Sequence, residues 1–180
     1  MPHFILSLFI DGLKEKIEDN IHMKKIIFIL LFISFPCLAV VEADPKPFVT
    51  DYCTLYVEGT RAQPNLWRHC CLEHDLYCWA GGSLDDKNVS DLKLKACVQM
   101  TGARTQAILI YAAVVIGGHS PIHIKSKQWG NTWENRPRYL SLTESETSKV
   151  IYHLESNYPD LSSELKQSFK EQLNSRLDAQ

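Results

Sequence analysis

The amino-acid sequence predicts an all-α protein, and three observations support this prediction. Apolar side chains recur at helical spacing in successive segments between residues 65 and 177. Two of these segments end at glycine pairs, Gly81-Gly82 and Gly117-Gly118. Two further patterns, each with an acidic residue three positions after Ser83 or Thr143, resemble the capping boxes that open helices.

These signals divide the chain into predicted helices separated by breaks and one long loop. The predicted helices cover residues 65–79, 83–100, 105–116, 143–157 and 161–177. The third is strongly apolar but too short to cross a membrane, so we expect a buried core helix. Residues 119–139 predict an ordered loop, in which Trp129 and Trp133 either pack inside the protein or line a lipid-facing surface.

Residues 1–43 are predicted to be removed from the mature protein. From Met23 the chain has two lysines, an apolar run of about a dozen residues and then small residues as far as Ala43, which is the pattern of a secretory signal peptide. We interpret residues 1–22, which precede this pattern, as the product of an upstream start. The mature chain is therefore expected to be secreted or periplasmic.

Composition narrows the possible functions. A chain with 45% hydrophobic and 22% charged residues is typical of a globular protein, and a net charge of -2 offers no basic surface for nucleic acid. Export implies an oxidising compartment, in which cysteines are expected to pair. Five cysteines remain after residue 43, so at least one is free or joins another chain. No pattern in the sequence indicates the oligomeric state.

The residues suited to chemistry lie mainly in the first predicted helix. Cys70, His74 and Cys78 are four positions apart and share a face, and Asp75 directly follows the histidine. Histidine can accept a proton from water near neutral pH. A neighbouring carboxylate is a hard oxygen ligand suited to Ca²⁺. His74 is thus a candidate general base, and Asp75 is a candidate calcium ligand.

Asp91 is the candidate partner of that histidine. It falls on the apolar stripe of the second predicted helix, where an ionised carboxylate is costly unless it is paired. His74 on the preceding helix is a fitting partner, because an acid can hold a catalytic histidine in one tautomer. Alternatively, Asp91 pairs with Lys87 or Lys95, four residues away, in a surface ion pair.

The motif around His74 resembles that of a known enzyme family. Residues 70–75, with the sequence CCLEHD, are similar to the CCxxHD signature of secreted phospholipases A2. Asp91 followed by Cys97 resembles the second catalytic helix of that family. Similarity to a bacterial group extends to about residue 140, through Trp79–Ser83, Asp91–Val98, Gly117-Gly118 and Trp129–Trp133. We therefore assign residues 44–140 to a phospholipase A2-like domain and residues 141–180 to a C-terminal helical extension.

The resemblance implies an activity and a disulfide pattern. His74 would activate a water that attacks the sn-2 ester of a glycerophospholipid at a membrane surface or micelle, with Asp91 orienting the ring. Ca²⁺ held by Asp75 would bind the phosphate and stabilise the oxyanion. The family core of two antiparallel helices would carry the disulfides Cys53–Cys71 and Cys70–Cys97, which leaves Cys78 free.

The sequence also departs from the family pattern. The calcium loop of the family is rich in glycine, whereas residues 52–56 contain none and the nearest is Gly59. Either the carbonyl of Tyr56, Glu58 or Gly59 therefore supplies a further calcium ligand, or calcium binding is weaker than in the family. The family often has tyrosine four residues after the histidine, where this chain has Cys78, with Tyr77 one position earlier.

Three other interpretations remain open. A phospholipase A2-like scaffold can lack activity and act as a lipid- or protein-binding module, because fold does not fix function. A structural zinc site could use soft ligands from the set His69, Cys70, Cys71, His74 and Cys78. A purely structural helical protein is the third, but it leaves the adjacent His74 and Asp75 unexplained.

Overall fold

Residues 44–119 and 128–178 are the part of the chain that the computed structural model describes. This part contains no strand, and its helices are α1 (Arg68–Ala80), α2 (Leu84–Met100), α3 (Arg104–His119), α4 (Glu144–Asn157) and α5 (Ser163–Asp178). The all-α prediction is confirmed for these residues. The predicted signal peptide, residues 1–43, and residues 120–127 of the predicted loop lie outside the described residues.

Helix α1 begins three residues later than the sequence predicted. The buried Trp67 lies just before it, donating its backbone N–H to the Glu58 carbonyl at 2.9 Å and its indole N–H to the Val57 carbonyl at 2.7 Å. These two bonds attach the preceding loop to the start of the helix. The helix ends at Gly81, whose φ of 82° favours glycine, and a Cβ there would lie 2.6 Å from the Gly130 Cα.

The two predicted capping boxes are confirmed. Ser83 Oγ accepts the Asp86 backbone N–H at 3.1 Å, and Asp86 Oδ2 accepts the Ser83 N–H at 2.8 Å. Thr143 and Glu146 make the same reciprocal pair at the start of α4. Each box satisfies backbone donors that a helix start otherwise leaves without partners.

Helices α1 and α2 are antiparallel. The three residues 81–83 join the end of α1 to the start of α2, and the Cys70–Cys97 disulfide joins the start of α1 to the end of α2. The second disulfide, Cys53–Cys71, attaches the preceding loop to α1, and Cys78 is free. The disulfide pattern implied by the family resemblance is therefore confirmed.

Helix α1 contributes to two hydrophobic clusters. On one side it packs with α2 and α3, through a cluster made of Cys53, Trp67, Cys70, Cys71, Leu94, Val98, Ala107 and Ile110. On the other side Leu76, Tyr77, Trp79 and Ala80 pack against residues of α4 and α5, including Val150, Leu154, Phe169 and Leu173. The described residues thus belong to one compact unit. The division proposed at residue 140 stays a prediction.

The expectation that the apolar third helix is buried is wrong. Ile108, Leu109 and Ile116 of α3 are 57%, 52% and 71% exposed, whereas Ala107 and Ile110 face the interior. The physical reason is that α3 packs mainly against α2, so one face of the helix is covered and the opposite face is not. Helix α3 also continues through its glycine pair to His119. In the described part of the chain, no helix is both long and apolar enough to span a membrane.

Trp129 and Trp133 are core residues. Both are buried, and their indole N–H groups donate to the carbonyls of Gly82 and Ala80, each at 2.8 Å. The suggestion that they line a lipid-facing surface is therefore wrong, and the packing interpretation is confirmed. Their hydrogen bonds hold the residues after α1 in place, next to the start of α2.

Candidate active site

His74 and Asp91 meet between the two antiparallel helices. His74 Nε2 lies 2.8 Å from Asp91 Oδ1, and both side chains are buried. Because an ionised carboxylate only accepts hydrogen bonds, Nε2 carries the proton and donates it. The disulfide at one end of the helix pair and the three-residue connection at the other keep these two faces opposed.

The second oxygen of Asp91 binds Lys87. Lys87 Nζ donates to Asp91 Oδ2 at 2.6 Å, and the side chains of both residues are almost wholly buried. The two pairings that the sequence left as alternatives therefore coexist, and the lysine pair is in the interior. Lys95 does not take part in them; its ammonium lies 5.0 Å from the centre of the Tyr111 ring.

The pKa of Asp91 is held below its usual range. Burial alone would raise the pKa of this carboxyl, but the hydrogen bonds from His74 and Lys87, together with their charges, outweigh the effect of burial. Asp91 is therefore ionised throughout the neutral range. An ionised acid at this position can fix the tautomer and orientation of the His74 ring.

Cys78 lies close to both nitrogens of the His74 ring. Its Sγ is 3.7 Å from Nδ1 and 3.9 Å from Nε2, so the sulfur is nearly equidistant from the two nitrogens. Burial would lower the pKa of His74, but the electrostatic interaction with Cys78 and the hydrogen bond to Asp91 outweigh it and raise the pKa to about 10. In this arrangement the ring is protonated at neutral pH.

The Tyr77 hydroxyl does not hydrogen-bond Asp91. Tyr77 is buried in the cluster with α4 and α5, with its ring centre 5.1 Å from that of Phe169. Its hydroxyl has no hydrogen-bond partner among the described residues, and burial raises its pKa, with a further contribution from Glu73. The oxygens of Asp91 are held by His74 and Lys87 instead.

Asp75 faces the segment that precedes α1. Thr50 Oγ1 donates to Asp75 Oδ2 at 2.5 Å, and the same hydroxyl oxygen accepts the Tyr52 backbone N–H at 2.9 Å. The carboxylate next to His74 is therefore attached to the start of the loop that the Cys53–Cys71 disulfide holds. Thr50 was not found by the sequence analysis, because it lies 25 residues away and belongs to no motif.

The loop makes sharp turns without glycine. Tyr52 and Leu55, on either side of Cys53, each have a φ of 58°, in the left-handed region that favours glycine. Arg68 lies over the Tyr52 ring, 3.6 Å from its centre, and Leu55 is fully exposed. These turns are thus made by two residues that have side chains.

The three predicted loop ligands have structural contacts of their own. The Glu58 carbonyl accepts the Trp67 N–H, and the Glu58 carboxylate pairs with Arg68 at 3.4 Å. Gly59 lies against the backbone of residues 63–64, where a Cβ would approach the Gln63 oxygen to 2.0 Å. Tyr56 donates its N–H to the Cys53 carbonyl at 2.8 Å. Glu58 and Gly59 therefore shape the loop, and the loop residue that hydrogen-bonds Asp75 is Thr50.

The disulfides argue against the zinc interpretation. Within residues 44–119 and 128–178, three possible metal ligands lie close together, and they are His69, Cys70 and Cys97. Cys70 and Cys97 are joined to each other, and Cys71 is joined to Cys53. Cys70, Cys71 and Cys97 therefore offer no thiolate to a zinc ion. His74 and Cys78 alone do not make a closed site.

Comparison with known proteins identifies no relative: no family model, curated protein or solved structure matches this chain. The interpretation of the site therefore depends on its own geometry.

Proposed function

We propose that this protein is a secreted, calcium-dependent phospholipase A2-type hydrolase that cleaves the sn-2 ester of glycerophospholipids. The observation that carries the proposal is the buried contact of 2.8 Å between His74 Nε2 and Asp91 Oδ1, with Asp75 as the next residue along α1. This contact joins an orienting acid to a candidate base. Asp75, the residue after that base, offers a hard oxygen ligand.

Each side chain has a separate task in the proposed reaction. Asp91 accepts a hydrogen bond from Nε2–H, so that in the neutral ring the lone pair is on Nδ1. Nδ1 would then take a proton from the attacking water. The oxygen donors next to His74 fit calcium, since carboxylate, hydroxyl and carbonyl oxygens are its preferred ligands. Asp75, Thr50 and the predicted loop carbonyl of Tyr56 would hold the ion. A bound calcium ion would polarise the ester and neutralise the phosphate.

A second candidate function is an inactive lipid- or protein-binding module on the same scaffold. The observation that favours it is the pKa of His74, which is raised to about 10 by Cys78 and Asp91 in spite of burial. A protonated imidazole cannot accept a proton from water. Activity near neutral pH therefore requires that this pKa fall when the site is loaded.

The proposal is tested by hydrolysis of mixed micelles of glycerophospholipid and detergent. The protein exported from cells that express the full chain is compared with His74→Gln, and with the control His69→Gln, which changes an exposed histidine on the same helix. We expect fatty acid to be released only when calcium is present, and the rate to fall about 100-fold or more in His74→Gln because the general base is lost. His69→Gln should retain activity.

The two candidate functions give different results in this experiment. Binding to micelles without release of fatty acid, at any pH from 6 to about 10 and with calcium present, would overturn the enzyme proposal and support the binding module. Release of the acid from the sn-1 position would contradict the proposed specificity.

A further inference from the structure

Lys87 is a buried cation at the centre of the candidate site. Its side chain is 5% exposed, and its ammonium group donates to Asp91 Oδ2 at 2.6 Å. Burying an ammonium group is costly, and on a helix surface the same pair would contribute little to stability. The position of Lys87 inside the protein therefore requires an explanation beyond stability.

Asp91 is held through both of its oxygens. Oδ1 accepts from His74 and Oδ2 accepts from Lys87, while the Asp91 side chain itself is 1% exposed. Rotation of the carboxylate would break one of these two bonds and leave a buried donor without its partner, which is costly. Lys87 thus limits Asp91 to the orientation in which Oδ1 faces the His74 ring.

The other side chains that could donate to Asp91 Oδ2 do not contact it. Along α2, the Lys95 ammonium lies near the Tyr111 ring and the Lys93 ammonium donates to Gln172 Oε1. The Tyr77 hydroxyl, which is the nearest in sequence to the family tyrosine, has no hydrogen-bond partner among the described residues. Lys87 is therefore the residue of α2 that donates to the second oxygen of this carboxylate.

We propose that Lys87 is a positioning residue of the candidate site, which fixes the Asp91 carboxylate so that it holds His74 with Nε2 protonated and Nδ1 facing the reacting water. Its effect on turnover rests on the proposed hydrolase function. Its effect on the His74 ring does not, because that effect depends only on the two hydrogen bonds to Asp91.

The test compares Lys87→Met with Lys87→Gln. Methionine has a similar length but no donor, whereas glutamine keeps an N–H group that can reach Oδ2. Lys95→Met, on the same helix but away from Asp91, is the matched control. Nitrogen and proton NMR of the His74 ring reports the hydrogen bond from its Nε2–H to Asp91, whether or not Nδ1 is protonated, and kinetics on mixed micelles separate kcat from KM.

In Lys87→Met we expect the His74 ring to lose the NMR signature of its Nε2–H hydrogen bond to Asp91, and kcat to fall about 10- to 100-fold with little change in KM, as is usual when the partner of a site residue is removed. Lys87→Gln should restore the ring signature and most of kcat. Lys95→Met should change neither. If Lys87→Met does not fold, the NMR comparison of Lys87→Gln with Lys87→Leu decides the question.

Two results would overturn the proposal. One is an unchanged His74 ring signature in Lys87→Met or Lys87→Leu, and the other is an equal effect of Lys95→Met. If the wild-type protein hydrolyses no lipid, the proposed function fails, but the ring signature still tests whether Lys87 positions Asp91. The two failures are thus distinguishable.

Discussion

Cys78 is the residue that most strongly sets the protonation of the candidate base. Its sulfur lies 3.7 Å from His74 Nδ1, and it contributes more than Asp91 does to keeping the pKa of that histidine near 10 against the effect of burial. At the scale of single residues, the main question is therefore whether Cys78 restrains the reaction.

We predict that Cys78→Ala lowers the pKa of His74 from about 10 towards its ordinary value of 6.5, because the variant lacks the largest influence that raises this pKa. The rate of hydrolysis at neutral pH should rise, since more of the ring is then unprotonated. NMR titration of the His74 ring against pH measures the shift directly. The matched control is Tyr152→Ala, at an exposed position of α4, which should leave the His74 titration unchanged.

The stability of the protein should follow the same titration. Because the pKa of His74 is higher in the folded chain than in the unfolded chain, its protonated ring contributes stability that is complete below pH 6.5 and lost as the pH rises through about 10. Cys78→Ala should show less of this loss between these limits. An equal loss of stability in the variant would show that Cys78 does not set the titration.

At the scale of elements, the turn between α1 and α2 connects three helices. Asp86 caps α2 through Ser83, and Asp86 Oδ1 also lies 3.2 Å from Arg176 Nε of α5, with both side chains largely buried. Arg176 also donates to the Gly81 carbonyl at 3.2 Å. The same carboxylate therefore caps the start of α2 and attaches α5 to the turn that aligns the two helices of the candidate site.

We predict that Asp86→Ala lowers the free energy of unfolding more than Ser83→Ala does. Loss of the Ser83 cap alone should cost about 1 kcal/mol. Loss of Asp86 also leaves Arg176 in the interior without this carboxylate, which should bring the cost to about 2–4 kcal/mol. Urea unfolding with the disulfides intact measures both. In combination with Arg176→Met, Asp86→Ala should cost less than the sum of the two single changes; strict additivity would contradict the coupling.

Local signals allowed the sequence to predict the helices and their starts. The capping residues Ser83 and Thr143 act on backbone groups only three residues away, so their patterns can be read directly from the sequence. Burial is different, because it depends on what packs against an element. Helix α3 is apolar in sequence, yet one face of it is exposed because its main neighbour, α2, lies on the opposite side.

The candidate site was also predictable only in part. The contact between His74 and Asp91 could be anticipated from the resemblance and from the apolar stripe of α2. Lys87 was visible as an i−4 neighbour of Asp91, but its burial was not, because that burial depends on how α1 packs over α2. Thr50 and the left-handed turns at Tyr52 and Leu55 involve tertiary structure that no spacing in the sequence signals.

At the scale of the whole molecule, the helices after residue 140 complete the core around α1. Tyr77 and Trp79 of α1 are buried in the same cluster as Leu154 of α4 and Phe169 of α5. This cluster lies on the side of α1 away from the disulfides. The C-terminal helices therefore support the helix that carries His74.

We predict that a chain ending at residue 140 does not fold cooperatively, even though it retains the disulfides, the candidate site and residues 1–43. Its α1 would expose Tyr77 and Trp79, because the α4 and α5 side chains that pack against them are missing. In the full chain, Phe169→Ala should lower the free energy of unfolding by about 3–5 kcal/mol because it leaves a cavity in this cluster. The control Tyr152→Ala, at an exposed position of α4, should change it by less than about 0.5 kcal/mol. Near-ultraviolet circular dichroism and urea unfolding measure these effects. A chain ending at residue 140 with a wild-type spectrum and a cooperative transition would show instead that residues 44–140 form an independent domain.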